Sequence, residues 1–513
     1  MKHLCRFLAV IAVSFWLFVP PVMANQSITL STSPAGITIQ HEDRQGITLK
    51  LQLSRLDFQE INTVEGIFTL LTGDGLVRSQ DIGQPNLPTA NQLLAIPFGC
   101  ELEAEVLDSK VEEYSLAELG VTYPIMPTQP SLSKSQDPES VPFEYNRATY
   151  ARTGFYSQRL VSAKTVGIMR SVNIGLVVIA PFEYNPTQNI LRVTKEVTVR
   201  VKYNNADWNL TRQMQQNYYS AAFEPVYGAL LNYSGYKNDA MITADLTKYP
   251  IKYLIVADRM FQAQLAPFIE WKIKRGFKVI TAYTDSIGTT TTAIKSYIRS
   301  VYNAGTPSDP APSFVLLVGD VQQIPAFQFS GHISDLSYFE YTNDNIPEIY
   351  YGRFSAQNTT QLQPQIDKTL EYEQYLMPDP SYLGNVTMIA GMDASHGSTW
   401  GNGQINYGTT YYFNAAHGIT SNTYLYPNSG SNAAAIRATV NSGVGYINYT
   451  AHGGHDEWSD PEFTSSQVQA LTNNHKYPLA VGNCCLTNTF GSDYSTPCLG
   501  EVWLQSANKG AIG

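Results

Sequence analysis

The chain has 513 residues, 43% of them hydrophobic and 15% charged, and a formal net charge of −10. That length is enough for roughly two to four domains with sizeable cores. The acidic balance, with no Lys/Arg cluster against it, argues against a nucleic-acid-binding protein.

At the N-terminus, Lys2, His3 and Arg6 form a positive stretch. Leu8 to Val19 is apolar but too short to span a bilayer well, and Val22-Met23-Ala24 is a small-residue cleavage site. Residues 1–24 therefore read as an export signal, with the mature chain starting at Asn25. No later segment is long and apolar enough for a membrane helix. Residues 25 to about 205 read as β-rich, with strands expected at Ser27–Leu30, Gly46–Leu53, Gly167–Ile179 and Leu191–Tyr203. The last alternates as a half-buried strand does, and Gly83-Gln84-Pro85-Asn86 is a turn cluster. From about 205 to 250 the chain reads as a polar, Asn/Tyr-rich connector.

After residue 250 the pattern changes. Strands are expected at Lys252–Asp258, Phe277–Ala282 and Ser313–Asp320, with helices at Met260–Lys274 and Thr292–Tyr302. A second round follows. Its strands are Val386–Asp393, Thr423–Tyr426, Val444–Thr450 and Leu479–Cys485; its helices are Asn406–Ala416, Ala433–Asn441 and Thr464–Thr472. Strands alternating with helices predict a parallel sheet covered on both faces. The fold class is thus an α/β domain in two similar halves behind an all-β N-terminal domain. Lys509 to Gly513 read as the start of a further buried strand, so the chain is expected to be a fragment of a longer protein.

Two strand ends carry the chemistry. His452 follows Tyr446-Ile447-Asn448-Tyr449-Thr450-Ala451 and precedes Gly453-Gly454; Cys484-Cys485 ends Leu479-Ala480-Val481-Gly482-Asn483. They are about one strand–helix–strand unit apart, which takes roughly 30 residues. Consecutive parallel strands deliver both side chains to the carboxyl edge, where open α/β sheets place their sites. A Cys–His pair there reads as a thiol nucleophile with its acid/base partner. Of the two cysteines, strand alternation turns one into the core, and Cys485, the last, is read as the nucleophile. The amides of Gly453 and Cys485 are the oxyanion donors this arrangement offers. Competing readings are a Cys484–Cys485 bridge, a bridge from either to Cys498, and a zinc site from Cys484, Cys485, His452 and His455. Adjacent cysteines are poor geometry for zinc. His417 reads as a helix end before a glycine cap, and His396 as a loop residue. Asp393, at another strand end, either orients the His452 ring or is a capping or surface acid. Asp320, Asp344 and Glu348 are hard oxygen ligands of the kind calcium takes.

The strings Asn448-Tyr449-Thr450-Ala451-His452-Gly453, Leu471-Thr472-Asn473, Ala480-Val481-Gly482-Asn483-Cys484-Cys485 and Pro497-Cys498-Leu499-Gly500-Glu501-Val502 resemble the gingipain family of secreted cysteine endopeptidases. The lysine-specific branch, with its doubled cysteine, is the nearer. Caspases and legumain share the strand-end plan more distantly. The resemblance covers about residues 238–513, and more faintly the N-terminal region, which looks like the family propeptide. It implies a caspase-like catalytic domain, truncated at its C-terminus, with halves at about 238–380 and 381–513. Before it come a signal peptide at 1–24 and a β-rich propeptide at 25–237 with a linker from about 205. It also implies Cys485, His452 and Asp393 as catalytic residues, and Thr450 and Asn483 as lining the primary specificity pocket. Calcium would be held by Asp320, Asp344 and Glu348, with the Thr342 and Ile346 carbonyls. The expected product is a bacterial, exported zymogen cut at Lys237–Asn238, inhibited by its own propeptide, with no organic cofactor, acting on protein and peptide substrates after basic residues, lysine favoured. Two departures stand out: Gly454-His455 replaces the relatives' Ser-Glu, and the carboxylate that reads lysine falls beyond Gly513. Two other classes stay open, a catalytically inactive, protease-like surface-binding protein and a metal hydrolase built on His452 and His455.

Overall fold

The computed structural model describes residues 26–132, 140–240, 249–394, 396–491 and 495–513; the export signal read at 1–24 lies outside them. The N-terminal region is built of antiparallel strands. Its central strand, Ile190–Asn204, pairs with Gly46–Gln52 on one side and Glu101–Ser115 on the other. Alternate residues Leu191, Val193, Val197, Val199 and Val201 are buried in one core with Ile47, Leu49 and Leu51, which is the period-two pattern of a half-buried strand realised in packing.

Two expectations fail here. Gly167–Ile179 is not one strand. It is the end of Val161–Met169, a turn at Arg170-Ser171, and Val172–Ile179 folded back on it. Arg170 takes φ +56°, a left-handed turn position normally given to Gly or Asn. Nor is the stretch after 205 a loose connector. It forms helices at Trp208–Tyr218, Glu224–Tyr227 and Tyr233–Ala240. Asp207 caps the first, its carboxylate accepting from the amides of Asn209 and Leu210. Tyr227, Tyr233 and Tyr236 are buried against Ala95, Val172 and Ile174 of the β region, so the tyrosines are core rather than linker.

From Lys252 the chain makes two parallel sheets with one topology. In the first, the strand order is Lys278–Tyr283, Lys252–Ala257, Phe314–Val318, Tyr350–Phe354; in the second it is Thr420–Tyr424, Asn385–Ala390, Tyr446–Thr450, Leu479–Asn483. Each order is second, first, third, fourth along the chain, so the two halves are alike. The apolar runs follow from burial on both faces. Leu254, Val256, Val315 and Leu317 pack under Ile294 and Ile298 of helix Thr291–Asn303. Ile255, Ala257, Leu316 and Val318 pack on the opposite face against Leu265, Phe268, Leu362 and Ile366. Each fully buried Leu or Ile contributes about 1.5–3 kcal/mol over exposure.

In the second sheet Ile447, Tyr449 and Ala451 face helices Ala433–Ser442 and Leu499–Gln505. The alternate residues Asn448 and Thr450 face helix Asn402–Tyr411, which starts four residues earlier than its expected range. Lys368, 2% exposed, ties the halves together by donating to the carbonyls of Trp503, Ser506 and Lys509 (3.0–3.1 Å). Burial holds its amine down at about 7. The chain end runs beside Leu479–Asn483, with Ile512 N–H on Pro478 O and Ala480 N–H on Gly513 O, both 2.9 Å. No described helix is long and apolar enough to cross a membrane.

Candidate active site

Strands Tyr446–Thr450 and Leu479–Asn483 are parallel neighbours, with Thr450 level with Asn483. His452 and Cys485 each lie two residues beyond that pair, so both emerge at the same carboxyl edge. Ala390 is level with Thr450 on the other side, which brings Asp393 to the same edge. There the His452 Nε2 stands 3.1 Å from Asp393 Oδ2, with the histidine 36% and the aspartate 13% exposed. The His396 amide donates to Asp393 Oδ1 at 2.8 Å. The carboxylate thus caps the turn that follows it through one oxygen and meets the ring with the other, so Asp393 is a capping acid placed where it can also orient His452. With Nε2 given to Asp393, Nδ1 is the ring nitrogen left for a thiol.

The main chain of His452 is fixed from below. Its carbonyl accepts from the Tyr449 hydroxyl (2.6 Å) and the Ser459 amide (3.1 Å). The Tyr449 ring is fully buried and stacks on Trp458 at 4.8 Å. Gly453 bridges to Trp458. The two ladder bonds of that bridge belong to its neighbours, Ser459 N–H to His452 O and Gly454 N–H to Glu457 O, so the Gly453 amide itself is turned out of the ribbon. A Cβ on Gly453 would stand 2.9 Å from Cys485 O, 3.0 Å from Cys484 Sγ and 2.8 Å from Thr487 Cγ2. The His-Gly and Cys-Cys segments are therefore in direct contact, and only glycine permits it.

All four described cysteines are thiols, so no bridge joins Cys484, Cys485 and Cys498. The strand ends at Asn483, short of both neighbours, so pleat alternation does not choose between them. Packing does: Cys484 lies against the second-sheet core, its sulfur 3.4 Å from Thr487 Oγ1, whereas Cys485 is outside that core. Cys498 is fully buried and its thiol is pushed up to about 12, chiefly by burial. Zinc finds no site. The two ring nitrogens of His455 face Thr489 Oγ1 (2.8 Å) and Thr496 O (2.9 Å), and no cluster of three or more metal-binding side chains occurs among the described residues.

Beside the pair, Thr450 Oγ1 donates to Gln404 Oε1 at 2.7 Å, and Asn483 Nδ2 donates to the same atom at 3.3 Å. Gln404, which the sequence reading missed, thus joins from helix Asn402–Tyr411 the two residues expected to line the specificity pocket. A cavity of about 430 Å³ opens here between Asp393, His396, Trp400 and Thr450 on one side and Arg78, Gln129 and Leu132 of the N-terminal region on the other. A cavity of about 710 Å³ lies wholly in the N-terminal region, around Arg44, Arg200 and Trp208, and has no cysteine or histidine in its lining.

The calcium set does not converge. Asp344 and Glu348 share Thr342 Oγ1, at 2.7 and 3.1 Å, and Asp344 also accepts from the Ile346 amide. Asp320 is elsewhere, bonded to Gln357 and to the Val321 amide. Glu348 precedes strand Tyr350–Phe354 and Asp320 follows strand Phe314–Val318. These strands are parallel with Phe314 level with Tyr350, so the two acids lie at opposite edges of the sheet. Five ligands split in this way do not fit one calcium ion. Glu348 is 2% exposed and burial pushes its carboxyl up to about 7. The expected cleavage bond, Lys237–Asn238, lies inside helix Tyr233–Ala240, where Lys237 pairs with Glu224 at 2.7 Å. It is not in an open linker, and cutting there requires the helix to unwind.

Residues 246–513 match Peptidase family C25, and residues 26–241 match the C25 propeptide. The chain is 36% identical over 491 residues to Lys-gingipain HG66 of Porphyromonas gingivalis, covering 95% of this chain and 28% of that protein. It is 25% identical over 517 residues to gingipain R1 of the same organism, covering 99% and 50%. It therefore spans under a third of the Lys-gingipain relatives. Several solved structures resemble it. One, described as a protease, has TM-score 0.48 and 42% identity, covering 53% of this chain and 60% of that one. The Arg-specific cysteine proteinase gingipain R has TM-score 0.45 and 26% identity, covering 51% and 61%.

Proposed function

The chain belongs to peptidase family C25, and on that premise we propose that it is an exported, zymogenic cysteine endopeptidase that cuts after basic residues, lysine before arginine. The observation that carries this reading is the meeting of Cys485, His452 and Asp393 at one sheet edge. Cys485 sulfur attacks the scissile carbonyl as thiolate, its proton passing to His452. The carbonyl oxygen gathers charge against the amides of Gly453 and Cys485. His452 returns the proton to the leaving amine, and Asp393 keeps the ring oriented and offsets its positive charge. Water, deprotonated by the same histidine, then hydrolyses the thioester and frees the enzyme.

Thr450 and Asn483 would line the pocket for the side chain before the cut bond, a reading supported by their shared bond to Gln404 beside the Cys–His pair. The preference for lysine rests on the greater identity to Lys-gingipain than to gingipain R1. Arg78, Gln129 and Leu132 wall the cavity beside Asp393, which supports the N-terminal region as an inhibitor of its own enzyme. The test is hydrolysis of lysine and arginine reporter peptides by the processed protein under reducing conditions, beside Cys485→Ala. Lysine turnover well above arginine turnover is expected, with none in the variant; turnover by the variant would overturn the reading.

A further inference from the structure

Arg170 is fully buried, although it stands at a hairpin turn of the N-terminal region. Its guanidinium reaches across into the C-terminal domain. One terminal nitrogen donates to Pro312 O (2.7 Å) and Glu348 O (3.2 Å), and the other to Ala311 O (2.8 Å). Its Nε donates to Tyr218 O on the N-terminal side. The charge lies against two rings, one from each part, with centroids 5.3 Å away at Phe223 and 5.5 Å away at Tyr302. Those rings are themselves paired across the junction: Tyr218 stacks on Tyr302 at 4.8 Å and Phe223 on Tyr350 at 4.1 Å. Next to it, the Ile168 amide donates to Asp344 Oδ2 at 2.7 Å, and Ser313 Oγ donates to Ser220 Oγ at 2.7 Å.

This contact is at the amino edge of the first sheet, where strands Phe314–Val318 and Tyr350–Phe354 begin. The Cys–His pair is at the carboxyl edge of the second. We propose that the carbonyls of Ala311, Pro312 and Glu348, with the ring of Tyr302, form a second docking site on the C-terminal domain, one that takes an arginine guanidinium. Through Arg170 it holds the N-terminal region in place after the connecting chain is cut. The site suits arginine and not lysine. Several carbonyls within hydrogen-bond reach of one guanidinium suit a rigid five-donor fork, while an ammonium offers a single point charge. A buried arginine ringed by aromatic faces is the usual composition of an interface anchor. Together with the wall of the active-site cavity it makes a two-point attachment, in which each contact raises the effective concentration of the other.

The inference rests on reading the N-terminal region as a prosegment, and its test reads association rather than catalysis. The full-length Cys485→Ala chain is cut once by limited proteolysis between the two parts, and their separation is followed by gel filtration in native buffer. The two pieces are expected to co-elute. Arg170→Ala should separate roughly 30-fold faster or more, since anchor truncations act mainly on the off-rate. Arg170→Lys should fall between, and Arg192→Ala, whose partners Glu113 and Glu183 are within the N-terminal region, should not change the rate. Should Arg170→Ala fail to fold, Tyr302→Leu probes the same contact from the other side. Separation at the parent rate in these variants, or immediate separation of the parent, would overturn the proposal. If cut protein with Cys485 intact is fully active while its pieces stay together, the docking stands and the inhibitory role of the N-terminal region falls.

Discussion

Gly453 faces Cys485 so closely that a methyl group on it would stand 2.9 Å from the cysteine carbonyl oxygen. This contact sets the spacing between the histidine segment and the cysteine segment, while the ladder bonds of its neighbours leave the Gly453 amide turned out of the ribbon. Gly453→Ala is therefore expected to lower kcat by roughly 10²–10³, the scale of losing one oxyanion donor, with a smaller change in KM. Overpacking of this kind costs about 1–3 kcal/mol of stability. Steady-state kinetics with a thermal melt separates the two effects, and unchanged kcat would exclude the oxyanion role.

Asp393→Asn keeps an oxygen for the His396 amide but removes the charge beside the His452 ring. A drop of about 10²–10⁴ in kcat/KM is expected, with a changed pH–rate profile. A merely structural role would lower stability and leave the profile of the remaining activity unmoved.

Gln404 accepts from both Thr450 and Asn483 while itself exposed. Gln404→Leu should raise KM for basic reporter peptides by roughly tenfold, with kcat within a few-fold and Tm nearly unchanged, since surface substitutions rarely exceed ±0.5 kcal/mol. An equal fall in kcat would assign it to the chemistry instead.

The strands of the α/β domain were legible because burial on both faces leaves an unbroken apolar run such as Phe314 to Val318. His452 and Cys485 were legible because each stands just beyond a strand-like stretch, Tyr446–Thr450 and Leu479–Asn483, although the second is an edge strand and largely exposed. The turn at Arg170-Ser171 was not, because it carries none of the Gly, Asn or Pro that mark a reversal; burial of Arg170 across a domain junction stabilises it instead. Of the helices after 205 the first had a local signal, its cap Asp207, whereas the later two were hidden because Tyr227 and Tyr236 are buried by a tertiary contact. Gln404 lies 46 residues before Thr450 and has no motif. The misplaced calcium set was avoidable: an acid after one parallel strand and an acid before the next sit at opposite edges.

Glu348 supplies the pH test. Its carboxyl is raised to about 7 by burial, from 4.5, so the folded state binds more protons than the unfolded state between those values. Stability should therefore fall as pH rises from about 4.5 to 7, by on the order of 2 kcal/mol. Glu348→Gln should melt higher than the parent at pH 8 and alike at pH 4.5, in chelator-treated buffer. A parent melting no lower than the variant at pH 8 would contradict the assignment.

The most direct measurement is covalent. The processed protein is treated with a lysine-derived chloromethyl ketone and the labelled peptide is sequenced by mass spectrometry, beside His452→Ala. The account predicts one label, on the sulfur of Cys485, with Cys484 unmodified and labelling strongly slowed without His452. A label on Cys484, or equal labelling in the His452 variant, would contradict it.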